Sequence, residues 1–256
     1  MFTTAPISSA PASSDRATNV PARAAHRPTS PVVDAAPGAV QVTLARTHAD
    51  LLAAFRLLHD SYVRAGLDTR NRRRVRITRH HLLPTTEVFV AKRRGEVIGT
   101  ISMVVDSERE GLPMDAMYQD ELDRLRGSGL RLAETGCMAG HSEVLSELLP
   151  IVGEFARLVV QVAKDRGIDA IVAATHPRHA RFYVRALGYQ PFTEIRECSY
   201  AAGNLAVGLL QRFEDLRGTK FDGRLFGTSY RPEDLNPTRW GDDTRRLLAT
   251  LAPAVR

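Results

Sequence analysis

The sequence predicts an α/β (α+β) fold, because strand and helix patterns alternate along most of the chain. The clearest unit covers residues 169–192. Residues 171–174 form a short apolar run typical of a strand buried on both faces, and Pro177 ends it with a turn. A helix fits residues 178–187, Gly188 suits its C-terminal cap, and a strand resumes at Tyr189. Such a unit brings side chains to the carboxyl end of a sheet, where α/β proteins bind ligands.

The remaining elements follow from residue spacing and turn signals. Leu51, Phe55, Leu58 and Tyr62 recur at helical spacing, and Gly95 joins two strand patterns into a β-hairpin. The predicted elements, in chain order, are a strand at 42–45, a helix at 50–63, the hairpin at 87–92 and 97–105, a helix at 114–126, a strand at 130–139, a helix at 144–166, the unit at 169–192, one or two strands within 199–213 and a helix at 242–251.

The composition divides the chain into a folded domain and two appendages. Residues 1–38 are rich in Ala, Ser, Thr and Pro without an apolar period, which predicts a disordered tail. An organelle transit peptide is the alternative, although no amphipathic face is evident. Residues 39–230 are predicted to form one domain, and residues 231–256 a C-terminal helical extension.

Composition also limits the compartment and the partners. No apolar run is long enough to span a bilayer and no secretion signal is evident, so we expect a cytoplasmic protein. Cys137 and Cys198 are interpreted as buried reduced thiols, because two cysteines make neither a disulfide framework nor a metal site. The net charge of +6 indicates an acidic partner. Charge alone leaves nucleic acid, a phosphorylated ligand, an anionic membrane and an acidic protein open.

The segment around the predicted helix at 178–187 carries a family resemblance. It reads His176, Pro177, Arg178, His179, Ala180, Arg181, Phe182, Tyr183, and then Leu187, Gly188, Tyr189. This resembles the late strand and helix of the GCN5-related N-acyltransferase superfamily. The resemblance implies a mixed central sheet with splayed strands, flanked by helices. In that fold the pantetheine arm of an acyl thioester lies between the strands at 130–139 and 169–175.

A second resemblance narrows the function. Residues 131–139 are similar to a strand of acyl-homoserine lactone synthases and of long-chain N-acyl amino acid synthases, on which a Glu is expected to activate the acceptor amine. The likeness to the second family covers roughly residues 50–215. It includes Ala54–Leu57, His59, Asp60, Tyr62, Val63, His80–Pro84, Thr86, Gly99, Thr100, Asp106, Gly111–Met114, Glu121, Leu122, Leu125 and Arg126.

Glu134 is the predicted catalytic base. Strand alternation places it on one face with Leu132, Gly136 and Met138. A carboxylate among apolar neighbours is costly to ionise, so its pKa should rise toward the range useful for a base. On the residues alone, a solvated or ion-paired carboxylate is the alternative. The resemblance favours catalysis and places Gly136 and Met138 beside the thioester.

The expected donor is an acyl group on phosphopantetheine, used as a co-substrate without a permanently bound cofactor or metal. Coenzyme A-dependent relatives carry a Gly-rich turn that cradles the pyrophosphate. Here the turn reads Gly140, His141, Ser142, Glu143, Val144, with one Gly and an acid. Acyl carrier protein, which presents a single phosphodiester, is therefore favoured over acyl-coenzyme A.

A basic run fits the same donor, because acyl carrier proteins are acidic. The run contains Arg70, Arg72, Arg73, Arg74, Arg76 and Arg79, of which we predict Arg72, Arg73, Arg74, Arg76 and Arg79 to dock the carrier protein. A solvated loop is the main alternative. Nucleic acid is not expected, since aromatic residues for base stacking do not interleave with the arginines.

Other site residues come from the resemblance. A Tyr after the second splayed strand often protonates the leaving thiolate in the superfamily, which implies this role for Tyr183. It usually lies four residues before the Gly, whereas Tyr183 lies five before Gly188. A packing role for Tyr183 stays open. His176 and His179 are predicted to contact the phosphopantetheine, with turn stabilisation or surface exposure as the alternative.

These expectations combine into one function. The chain should transfer a long-chain acyl group from acyl carrier protein to the α-amine of an amino acid. The alternatives are an acyl-homoserine lactone synthase-like enzyme, an acyl- or acetyl-coenzyme A-dependent N-acyltransferase, and a non-catalytic module that binds a carrier protein.

Overall fold

The computed structural model describes residues 39–141, 145–198, 201–228 and 230–252. The predicted tail at 1–38 and the end of the predicted extension, 253–256, lie outside these ranges. The described strands are β1 (Val40–Leu44), β2 (Thr86–Arg93), β3 (Glu96–Val105), β4 (Leu132–Gly140), β5 (Ala170–Thr175), β6 (Gln190–Pro191), β7 (Arg196–Cys198) and β8 (Asn204–Arg212). The described helices are α1 (His48–Arg64), α2 (Asp115–Gly127), α3 (Leu145–Asp165), α4 (Pro177–Phe182), α5 (Lys220–Phe226), α6 (Pro232–Leu235) and α7 (Asp242–Leu251).

The strands form a mixed sheet in the order β1-β2-β3-β4-β5-β8-β6, with β7 paired to β8. Every pair is antiparallel except β4 with β5. That parallel pair exists because α3 crosses over between its two strands. The mixed sheet flanked by helices is the predicted architecture.

Strands β4 and β5 separate at one end. They pair from Leu132 with Ala170 to Glu134 with Val172, yet β4 continues to Gly140 and β5 to Thr175. Strand β5 keeps its other neighbour to the end, where Thr175 pairs with Val207 of β8. The sheet therefore opens beyond Glu134, which confirms the predicted splayed strands.

Different helices pack their apolar side chains against the two faces of the sheet. On one face, α3 packs Phe155, Leu158 and Val159 against the strands. On the other, α1 and α2 contribute separate clusters that include Phe55 and Tyr118. The splayed end of β4 thus lies between α3 on one side and α1 and α2 on the other.

Several bounds differ from the predictions. The helix predicted at 178–187 is α4 followed by a π-helical turn, Tyr183–Leu187. A 3₁₀ turn, Arg79–Leu82, and the short elements β7, α5 and α6 were not predicted. These elements are brief, so they lack the repeated apolar spacing that marks longer helices and strands.

The C-terminal segment packs against the start of the domain. The Arg46 guanidinium donates hydrogen bonds to the carbonyl oxygens of Glu233, Asp234 and Asn236. Leu248 of α7 is buried in the cluster that contains Phe55. Among the helices in the described ranges, none combines the length and apolar character needed to cross a membrane.

Candidate active site

Glu134 lies at the point where β4 and β5 separate. It pairs with Val104 of β3 and Val172 of β5 and faces the cluster that contains Met114 of the α2 entrance. Its residue surface is 5% exposed. The Met114 backbone N–H donates a hydrogen bond to Glu134 Oε2 at 2.7 Å. The carboxyl group is therefore buried and held from one side.

The surroundings of Glu134 disfavour its ionised form. Burial is the main cause and raises the pKa of the carboxyl from 4.5 to about 8. The Met114 hydrogen bond acts in the opposite direction, while the nearby carboxylates of Asp115 and Asp106 raise the pKa further. A carboxyl group with a pKa near the working pH is suited to accept a proton during catalysis. The alternative of a solvated Glu134 is therefore wrong, and within the described ranges Glu134 forms no ion pair.

Loop 106–114 is fastened over Glu134 by a charged network. Arg126 of α2 donates to both carboxylate oxygens of Asp106 and to both of Asp115, at 2.7–3.0 Å. Asp115 in turn accepts a 2.6 Å hydrogen bond from the Leu112 N–H. Gly111 has φ 63 and packs so closely on Asp115 that a side chain there would collide with it. This network fixes the backbone that presents Met114 to Glu134.

A β-bulge follows Glu134, so the side chains of β4 beyond it point to other faces of the sheet than strand alternation predicts. Cys137 has φ 53, and the β3–β4 register shifts between Thr100 and Ser102. Past the bulge, Cys137 packs with Leu57 and Leu58 of α1, whereas Met138 lies on the α3 side. The prediction that Met138 shares the face of Glu134 is therefore wrong, because a bulge resets the alternation of side chains.

A small cavity marks the opening between β4 and β5 on the α3 side. Its volume is about 30 Å³. Its walls are mainly apolar. The lining residues include Ile101, Thr135, Met138, Val152, Phe155, Val159, Ile171, Tyr183, Leu187 and Tyr189. Met138 and Tyr183, both predicted as site residues, thus meet at this cavity.

The π-helical turn places Tyr183 at the cavity despite the extra residue before Gly188. Gly188 has φ 80 and donates its N–H to the Tyr183 carbonyl, five residues back. Such a turn accommodates one more residue than an α-helical turn. The Tyr183 ring packs edge-on against Tyr189 with centroids 5.5 Å apart. Burial raises the pKa of the Tyr183 hydroxyl, and a hydrogen bond with Thr175 partly offsets this.

His176 and His179 lie at the outer end of the same segment. His176 caps α4, because its Nδ1 accepts a hydrogen bond from the Arg178 N–H at 3.2 Å. His179 is exposed, and its Nε2 accepts a 3.0 Å hydrogen bond from Arg178 Nε. Neither imidazole lines the cavity. Their predicted contact with the phosphopantetheine stays a prediction.

The structure divides the basic run into an exposed group and one inward residue. Arg72, Arg73, Arg74 and Arg79 are exposed. The Arg76 side chain is only 14% exposed, pairs with Asp68 at 2.5 Å and stacks over the Tyr62 ring at 4.7 Å. Arg76 therefore does not share the exposed surface of the run, because the neighbouring Val75 and Ile77 anchor this part of the loop in the core.

Sequence reasoning missed the polar groups beside Glu134. His81, in the 3₁₀ turn, lies 3.0 Å from Ser102 Oγ through its Nε2. Ser102 is 5% exposed and pairs with Gly136 across the β3–β4 ladder. The available signal was a hydroxyl in the mainly apolar second half of β3, residues 101–105. The Met114 N–H could not be identified from the sequence, because every residue except proline has a backbone N–H.

The solved structures that share the fold include an N-acyl amino acid synthase and two acyl-homoserine lactone synthases. FeeM, an N-acyl amino acid synthase from uncultured soil microbes, has a TM-score of 0.63 and 22% identity, over 73% of this chain and 97% of that chain. The acyl-homoserine lactone synthase LasI has a TM-score of 0.54 and 19% identity, over 75% and 96%. The coenzyme A-dependent acyl-homoserine lactone synthase MesI has a TM-score of 0.53 and 17% identity, over 75% and 97%. A comparison with curated proteins gives no match.

The sequence itself matches one family. The profile of the N-acyl amino acid synthase FeeM covers residues 53–211, which is more than half of the 256 residues. The matched range contains Glu134, the opening between β4 and β5, and Tyr183. The protein is thus an N-acyltransferase, an enzyme that transfers an acyl group to an amine. The chain belongs to the family of N-acyl amino acid synthases typified by FeeM.

Proposed function

We propose that the protein transfers a long-chain acyl group from acyl carrier protein to the α-amine of an amino acid. The observation that carries this proposal is the Glu134 carboxyl, buried where β4 and β5 separate and held by Met114. Its pKa of about 8 leaves the carboxyl able to accept a proton near neutral pH, as a general base requires.

The proposed reaction is direct aminolysis of the thioester. The amine nitrogen attacks the carbonyl carbon, so that a C–N bond forms and the C–S bond breaks. Glu134, directly or through a water molecule, takes the proton that the nitrogen loses. The sulfur leaves as a thiolate and takes a proton from the Tyr183 hydroxyl. This route needs no cysteine nucleophile, and burial raises the pKa of the Cys137 thiol to about 11, which disfavours its reactive thiolate form.

The acyl carrier protein as donor rests on two features. The turn after β4 has one Gly and an acid, and residues 142–144 of it lie outside the described residues. On the protein surface, Arg72, Arg73, Arg74 and Arg79 are exposed together and complement an acidic carrier protein. Arg74 also pairs with Asp60, and Arg73 donates to the Thr250 carbonyl. A cytoplasmic location belongs to the same proposal.

Product analysis tests the proposed function. The full-length protein is incubated with a long-chain acyl carrier protein and each amino acid in turn, and the products are identified by mass spectrometry. Parallel reactions contain the same acyl group on coenzyme A. The proposal expects an N-acyl amino acid, formed faster from the carrier protein. Formation of acyl-homoserine lactone alone, preference for coenzyme A, or acylation of no amino acid would each contradict it.

A further inference from the structure

Ser102 lies beside Glu134 on one face of the sheet. Strand β3 pairs Val104 with Glu134 and Ser102 with Gly136, and paired residues of an antiparallel ladder point to the same face. Ser102 is thus the diagonal neighbour of Glu134, a relationship that spans about 7–8 Å. Both residues are 5% exposed. A small molecule between them would contact both side chains away from bulk water.

His81 fixes the direction of the Ser102 hydroxyl. The Thr78 backbone N–H donates to His81 Nδ1 at 3.0 Å, so this nitrogen is the acceptor. Burial lowers the pKa of His81 to about 3, with help from Arg76 and His80, and the ring is therefore neutral. A neutral imidazole that accepts at Nδ1 carries its proton on Nε2. His81 Nε2 consequently donates to Ser102 Oγ, 3.0 Å away.

The hydroxyl hydrogen of Ser102 then points away from His81. Within the described ranges, no acceptor for this hydrogen is found. The residue opposite is Gly136, and a Cβ built there would meet nothing within 4 Å. Open space thus adjoins one oriented donor, Ser102, and one buried carboxyl group, Glu134. A buried donor without a partner is costly, which favours a ligand that supplies an acceptor.

We propose that Ser102, oriented by His81, binds the carboxylate of the acceptor amino acid while Glu134 receives its amine. The inference rests on the proposed function. An α-amino acid carries its amine and carboxylate on the same carbon, so the groups that bind them must be close neighbours. Ser102 supplies the donor that a carboxylate requires. His81 is a positioning residue, because it acts on the acceptor through Ser102.

Acceptor kinetics of Ser102→Ala test the inference. Loss of a hydrogen bond to a charged group is expected to raise the acceptor KM about tenfold or more, with kcat and the donor KM changed less than threefold. The decarboxylated analogue of the acceptor, which keeps the amine but lacks the carboxylate, should react at the same rate with wild type and with Ser102→Ala. His81→Gln, which keeps a donor near the Nε2 position, should retain the acceptor KM, whereas His81→Phe should raise it like Ser102→Ala.

Thr100→Val provides the matched control. Thr100 is two residues from Ser102 on β3, is 2% exposed, and donates its hydroxyl to the Phe89 carbonyl. Its variant should keep the acceptor KM. An unchanged acceptor KM in Ser102→Ala, or an equal rise in Thr100→Val, would overturn the inference and leave the proposed function standing. A wild-type protein that acylates no amino acid would overturn both.

Discussion

The backbone N–H of Met114 and the carboxylate of Glu134 form a 2.7 Å hydrogen bond between the entrance of α2 and the centre of β4. The contact joins residues that are 20 positions apart. It leaves the carboxyl as a buried group with one fixed partner and with two carboxylates, Asp115 and Asp106, near enough to raise its pKa. The stability of the protein, its catalytic activity and the positioning of loop 106–114 are therefore linked at one residue.

Glu134 should lower stability as pH rises. Its pKa is about 8 in the folded protein and near 4.5 in an unfolded chain, so the folded state binds more protons between these values. The free energy of unfolding should then fall as pH rises through this window, by up to about 1.4 kcal/mol per pH unit. Glu134→Gln cannot ionise. Urea unfolding should show the variant gaining stability relative to wild type from pH 4.5 to about 8.

Glu87→Gln is the control for this prediction, because it also replaces a buried carboxyl group but one that has an ion-pair partner. Glu87 is also buried, at 4% exposure, but it pairs with Arg166 at 2.5 Å on the α3 side of the sheet. Loss of this ionic hydrogen bond should destabilise the protein by about 2 kcal/mol. A stability difference between wild type and Glu134→Gln that does not change with pH would disprove the raised pKa.

Arg126→Lys should loosen loop 106–114. A Lys ammonium cannot bridge Asp106 and Asp115 as the guanidinium does. We expect kcat to fall about tenfold, because loss of positioning costs rate. With weaker pairing to residue 126, the carboxylates of Asp106 and Asp115 should raise the pKa of Glu134 further. The pH at which activity levels off should therefore rise as well. Arg124→Lys, on the exposed side of α2, should change neither quantity, and identical profiles for both variants would refute the network.

Tyr183→Phe should slow the departure of the thiolate. General acid catalysis contributes about 10²- to 10⁴-fold, so kcat with a pantetheine thioester should fall by a factor in this range. An aryl thioester, whose thiolate leaves without protonation, should restore most of the rate. Tyr230→Phe, another buried tyrosine, serves as control. An equal loss with both thioesters would instead assign Tyr183 a packing role.

Charge reversal tests the proposed docking surface. Arg72→Glu combined with Arg79→Glu should raise the KM for acyl carrier protein about tenfold and weaken its salt dependence, because exposed charges steer acidic partners. The KM for a free acyl-pantetheine should stay unchanged. Arg93→Glu is the control, because Arg93 is the last residue of β2 whereas Arg79 precedes the start of that strand. Equal effects on both donors would remove the loop from carrier recognition.

Much of the fold was predictable because its longer helices and strands repeat apolar residues at the regular spacing of each element. Residues 242–251 were predicted as a helix and form α7 with the same bounds. The predicted hairpin at 87–92 and 97–105 differs from β2 and β3 by one residue at three ends. Glu134 was accessible to sequence reasoning as well, since it is the one charged residue in the strand Leu132–Gly140.

The parts that sequence could not predict depend on backbone geometry and on contacts between distant residues. Nothing in the side chain of Cys137 favours its positive φ, so the bulge that turns Met138 away was hidden. The π-helical turn at Tyr183 is likewise a backbone feature. The Arg126 network joins residues 11 and 20 positions apart, and only the fold brings them together.

The pH dependence of Glu134→Gln tests the central claim most directly. We compare kcat/KM for the acceptor amine in wild type and variant between about pH 6 and 10, on either side of the Glu134 pKa. Titration of the amine affects both proteins equally, so it cancels in their ratio. The account predicts that wild type exceeds the variant at least about 100-fold, with a ratio that rises about tenfold per pH unit and levels off at about pH 8. A variant with near wild-type activity, or a ratio independent of pH, would contradict the assignment of Glu134 as the base.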